Sequence, residues 1–97
     1  MSAVTPTPLE RAPASLAPGR ELFLKREDVH ELGSFKWRGA LPTLEAYRAD
    51  GAATVVTAST GNHGAATAWA AKRLGLRAIV YVPESASREK VAIIERF

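Results

Sequence analysis

A parallel α/β sheet is the fold class that this 97-residue sequence predicts. Two short, largely apolar runs, Thr54–Ala58 (TVVTA) and Arg77–Val82 (RAIVYV), have the β-branched make-up of strands buried on both faces. An Ala-rich stretch, Asn62–Leu74, lies between them and meets Gly75, a residue suited to the left-handed stop of a helix. Strand, helix and strand recur along the chain, and alternation at this spacing implies parallel strands with right-handed crossovers.

Each element follows from local chemistry. Four of the six prolines fall between Thr5 and Pro18. Proline lacks a donor and restricts its neighbours, so residues 1–20 are expected to form an extended arm ahead of a domain over 21–97. Leu22–Leu24 reads as a short strand, ending in the charged run Lys25-Arg26-Glu27-Asp28. Gly33-Ser34 marks a turn, with Ser34 as N-cap of a helix towards Tyr47 or Arg48 that Pro42 should kink or divide. Asp50-Gly51 closes that helix. Pro83 ends the last strand, and Ser87 caps a final helix through Val91, Ile93 and Ile94.

Composition excludes several classes. Apolar residues make up 46% and charged residues 24%, an ordinary globular balance. The net charge of +3 is small and its basic residues are scattered, unlike the clustered face of a nucleic-acid binder. Without cysteine there is no disulfide and no Cys-ligated metal, and no metal site is expected. The start of the chain lacks a basic region followed by an apolar core, and no apolar run reaches membrane-span length, so no membrane association and a cytoplasmic setting are expected.

Two segments carry chemistry. In Gly33-Ser34-Phe35-Lys36-Trp37-Arg38-Gly39-Ala40 a lysine stands at a helix start. The positive end of the helix dipole disfavours an ammonium there, and a neutral amine is what Schiff-base chemistry requires. Taken alone, this segment reads more readily as a solvated lysine on an amphipathic helix. In Ser59-Thr60-Gly61-Asn62-His63-Gly64 a strand passes into a helix, whose unpaired N–H groups favour an anion. Hydroxyls, an amide and two glycines would let a ligand approach the backbone. A capped turn with glycines for geometry explains the same residues. Neither a G-x-G-x-x-G nor a P-loop pattern occurs. Trp37 and Trp69 read as core packing, His30 as a loop residue and the Lys25–Asp28 run as solvated charge.

Taken together, KRED, GSFKWRGA and VVTASTGNHG in this order and spacing resemble the fold-type II pyridoxal-phosphate (PLP) enzymes, the tryptophan synthase β-like group. The branch that looks most similar is that of the threonine and serine dehydratases and serine racemases. The resemblance runs from about Thr5 to Phe97. It implies an incomplete, three-layer fragment of that α/β fold. Lys36 would hold the cofactor covalently and act as base at the substrate Cα. Phe35 would pack beside PLP and Asn62 would bond its phenolic oxygen. Ser59, Thr60, Gly61, Asn62 and His63 would hold the carboxylate of a small amino acid. Thr60 stands where racemases of the group carry an acid/base serine.

The implied reaction is β-elimination of a hydroxy amino acid to a 2-oxo acid and ammonia, by a lyase that is a homo-oligomer at full length. The resemblance also implies a Gly-rich phosphate loop and a pyridine-nitrogen partner, neither of which these residues contain. An N-terminal fragment that is catalytically poor alone is therefore expected. Racemization, β- or γ-replacement and a non-catalytic interaction module are the alternatives. The replacement branches tend to carry Lys-Asp-Arg where this chain has Lys36-Trp37-Arg38.

Overall fold

The computed structural model describes residues 4–97. They divide into two compact units, which part between Phe35 and Lys36.

The first unit is built on a hairpin. Strand β1 (Leu9–Arg11) pairs antiparallel with β2 (Phe23–Lys25), in the register Leu9↔Lys25, Glu10↔Leu24 and Arg11↔Phe23. The ladder extends through Ala12 N–H to the Leu22 carbonyl at 2.8 Å and Arg26 N–H to the Pro8 carbonyl at 2.9 Å. Pro8 and Pro13 flank β1 because neither can donate to a ladder. A 3-10 turn, Ala14–Leu16, starts the return.

Two expectations change here. The strand predicted at 22–24 joins an antiparallel hairpin rather than the parallel sheet. The extended arm, whose residues 1–3 lie outside the described region, contributes the partner strand. The hairpin thus joins residues on both sides of the boundary expected at residue 20. Leu-Glu-Arg carries one apolar residue and no period, so pattern alone gives no strand signal there.

The charged run after β2 ties the hairpin together. Lys25 Nζ donates to the Thr7 carbonyl at 2.6 Å, and the Thr7 hydroxyl donates to the Glu27 carboxylate. Arg26 reaches Asp28 at 2.7 and 2.8 Å and Glu10 at 2.8 Å. The hydrogen-bonded Arg26 guanidinium holds the Asp28 carboxyl below its ordinary range.

The second unit is α/β. Helix α1 (Trp37–Ala49) is followed by β3 (Thr54–Ala58), α2 (Asn62–Leu74), β4 (Arg77–Tyr81) and α3 (Arg88–Arg96). β3 and β4 are parallel, from Thr54↔Arg77 to Ala58↔Tyr81, with α2 as the crossover. Helix α2 packs against α1, α3 and both strands. Every residue from Gly64 to Ala71 is buried, as is Leu74. A helix enclosed on all sides needs small side chains, and this stretch has five alanines to one tryptophan. That tryptophan, Trp69, meets Trp37 of α1 edge-on, with centroids 5.9 Å apart. Gly64 marks the tightest point: a Cβ there would lie 2.8 Å from the Ser59 carbonyl oxygen, against Val80 and Ile94.

Helix ends follow the expected chemistry with one exception. Gly75 is left-handed (φ 72°), and the Leu76 N–H reaches the Ala71 carbonyl at 2.8 Å, a Schellman stop. Ser87 accepts the Lys90 N–H at 3.3 Å and caps α3 as predicted. Ser34 does not cap α1. The cap position is Lys36, whose φ −60° and ψ −24° are already helical, and whose side chain makes no capping bond. Pro42 does not divide α1, which continues through it. Its missing N–H falls in the second turn, and buried Trp37 and Leu44 anchor the helix on either side.

The strands are less covered than predicted. Val55 is buried, but Val56 is 60% and Tyr81 64% exposed. Period-2 alternation turns Val55 and Val56 to opposite faces of the β3–β4 pair, and the face that carries Val56 is open among the described residues. None of the helices of the described residues is long and apolar enough to cross a membrane.

Three outcomes are expected. Gly64→Ala should lose about 1–3 kcal/mol in urea unfolding because the new methyl meets backbone. Gly39→Ala, with nothing within 4 Å of its Cβ position inside α1, should gain about 0.5–1 kcal/mol in the same measurement. In acid titrations of stability, the share that Asp28 contributes is present above its ordinary carboxylate range and lost as pH falls through its lowered folded value. Asp28→Asn should therefore flatten the acid limb slightly.

Candidate active site

The Lys36 side of the site is one face of a helix. Lys36, Gly39, Ala40 and Thr43 follow the spacing i, i+3, i+4, i+7 and line one cavity of about 270 Å³. Leu44, His63 and Thr67 complete its wall. His63 and Thr67 stand one turn apart on α2, so the cavity lies where α1 and α2 face each other. Gly39 and Ala40 keep it open beside the lysine. The Lys36 carbonyl accepts from the N–H groups of Gly39 and Ala40 at 3.2 and 3.1 Å, which fixes its backbone to the first turn.

The second segment leaves the carboxyl end of β3, where ligands of open α/β sheets sit. Ser59 N–H donates to the Tyr81 carbonyl at 3.1 Å, prolonging the ladder by one residue. Its Oγ then accepts from the N–H groups of Gly61 and Gly64, both at 3.1 Å. The hydroxyl therefore satisfies an orphan donor of the α2 terminus from two residues ahead of the Gly61 cap. His63 Nε2 is 3.0 Å from Thr57 Oγ1, and the His63 carbonyl accepts the Thr67 hydroxyl at 2.8 Å.

The predicted residues fall into distinct environments. His63 shares the Lys36 cavity. Thr60, Gly61 and Asn62 line a separate space of about 160 Å³, with Ala65, Lys90 and Ile93. Ser59 has a capping role. Phe35 is 60% exposed and ends the first unit. Thr43, Thr57, Thr67 and Lys90 were not singled out from sequence. Helical spacing from Lys36 and from His63 points to Thr43 and Thr67, whereas Thr57 and Lys90 carry no signal of their own. No three His, Cys, Asp or Glu side chains gather to hold a metal among the described residues.

The Lys36 cavity suits the aldehyde end of PLP: a primary amine stands beside two small residues, with hydroxyl and imidazole groups opposite. A phosphate needs several strong donors, and this lining supplies none of the backbone N–H clusters that usually provide them. Ser59→Ala should cost about 1 kcal/mol in urea unfolding, through the two N–H groups it leaves unpaired.

The chain is 38% identical over 91 residues to the biosynthetic L-threonine dehydratase of Corynebacterium glutamicum, which covers 92% of this chain and 21% of that enzyme. It is 44% identical over 80 residues to the serine racemase of Arabidopsis thaliana, covering 81% of this chain and 24% of the racemase. The diaminopropionate ammonia lyase of Escherichia coli, solved with a reaction intermediate on PLP, superposes with a TM-score of 0.77 at 29% identity. That match covers 99% of this chain and 29% of the lyase. The chain thus spans about a fifth of the length of the curated relatives it matches. The family described as pyridoxal-phosphate dependent enzymes matches residues 1–97, and the chain belongs to that family.

Proposed function

We propose that the chain carries the lysine-bearing part of a PLP-dependent ammonia-lyase of the threonine/serine dehydratase type. The observation that supports it is that Lys36 and His63, from the two segments singled out by sequence, line one cavity. When bound, PLP supplies the electron sink for reactions at the substrate Cα. Lys36 would anchor the cofactor, and its amine would take the Cα proton. Asn62 bonds the ring oxygen and Phe35 packs beside the ring. Ser59, Thr60, Gly61, Asn62 and His63 bind the carboxylate of a small hydroxy amino acid, the first through the turn it holds together. The β-hydroxyl would leave as water, and hydrolysis of the released enamine would give ammonia and a 2-oxo acid. The same reading takes the whole protein as a cytoplasmic homo-oligomer.

A second reading, serine racemization, is favoured by one feature. Thr60 keeps a hydroxyl where a racemase needs an acid/base on the opposite face of the substrate.

Borohydride reduction of the chain with equimolar PLP, followed by peptide mapping, tests the shared part of both readings. The expected adduct is on Lys36 in preference to Lys25, Lys72 and Lys90, and it is lost in Lys36→Ala. An even spread over all four lysines would refute it. Release of ammonia and 2-oxo acid from L-serine or L-threonine supports the lyase; appearance of the D-isomer supports the racemase. Turnover by these 97 residues alone is expected to be weak.

A further inference from the structure

His63 borders two cavities. One is the Lys36 cavity; the other is a groove of about 620 Å³ along β3, whose wall includes Tyr47, Asp50, Val56 and Thr57. The imidazole therefore stands between the reacting lysine and the groove, and its orientation decides what each side meets.

That orientation is set from outside the helix. Thr57 belongs to β3, so the 3.0 Å contact between its Oγ1 and His63 Nε2 ties a strand to the first turn of α2. Among the described residues, Nε2 is the only group paired with the Thr57 hydroxyl, and which of the two donates depends on the tautomer of the ring. A hydroxyl donating to Nε2 leaves the proton of a neutral imidazole on Nδ1. Nδ1 has no partner among the described residues and is the ring's remaining hydrogen-bonding position.

We propose that Thr57 is a positioning residue: it locks His63 in one rotamer and in the Nδ1–H tautomer. The ring thereby offers a single donor to an acceptor group, carbonyl or anionic, that the chemistry of Lys36 brings into the cavity. The inference rests on the reading of Lys36 as the cofactor lysine, but Thr57 lies outside the residues which that reading uses.

Two-bond ¹H–¹⁵N spectra of the histidine rings, taken where they are neutral, test it on the purified chain. His63 should be mainly Nδ1–H, the reverse of free imidazole. In Thr57→Val, which keeps the side-chain shape, the tautomer ratio should move about fivefold towards Nε2–H, the shift expected from one lost hydrogen bond. Thr57→Ser should restore it. His30 is an internal reference, since its Nδ1 accepts the Leu32 N–H at 3.1 Å and its tautomer should not respond. A His63 that is mainly Nε2–H in the unaltered chain overturns the proposal even if Thr57→Val fails to fold, and so does an unchanged ratio in a folded Thr57→Val. Reductive trapping of PLP on Lys36 should then shift the His63 ring resonances. An adduct that leaves them unmoved overturns the link to the cavity. Absence of any adduct counts against the cofactor reading of Lys36, while the tautomer ratio still decides the role of Thr57.

Discussion

Everything in the second unit is arranged around a helix that has no outer face. From Gly64 to Ala71, α2 is enclosed by α1, α3 and the β3–β4 pair. Alanine makes this possible, because it loses no side-chain entropy on burial and lets backbones approach. The enclosure also removes tolerance. At Gly64 the Ser59 carbonyl comes so near that no side chain fits, and that approach brings the Ser59 hydroxyl onto the first N–H groups of the helix. Packing of the helix and shape of the loop ahead of it are one constraint.

The same constraint builds the cavity. Trp37 and Trp69 meet edge-on and hold α1 and α2 together at one level. At the level of Lys36, Gly39, Ala40 and Thr43 replace bulk with space. The small residues that leave this space, Gly39 and Ala40, are on α1, while α2 closes it with His63 and Thr67. Within α1, the Arg38 guanidinium lies 4.4 Å from the centre of the Trp37 ring.

Much of this arrangement was legible in the sequence. Thr54–Ala58 and Asn62–Leu74 stand where composition put them, and Gly75 and Ser87 act as stop and cap. These elements are decided by strong local signals: β-branched runs, alanine content, a left-handed glycine and a capping hydroxyl. What escaped was decided by partners distant in sequence. Leu9–Arg11 becomes a strand because Phe23–Lys25 lies alongside it, not because Leu-Glu-Arg prefers to extend. Pro42 is accommodated because α1 is packed on both sides of it. The site was legible as two segments, but Thr57 was not, since it acquires meaning only through its contact with His63.

A segment contiguous in sequence need not form a contiguous surface. Asn62 and His63 follow one another on α2, about 100° apart around its axis, and they line different spaces. His63 lies on the Lys36 cavity, while Asn62, with Thr60 and Gly61, lines the space shared with Lys90. The first turn of α2 is thus a partition. Under the proposed function, a ligand held at Lys36 would meet His63 on its own side of this turn and Asn62 on the other, near the positive end of the helix dipole. That order suits a ligand with a reactive group held at the lysine and an electron-rich oxygen or carboxylate extending beyond it.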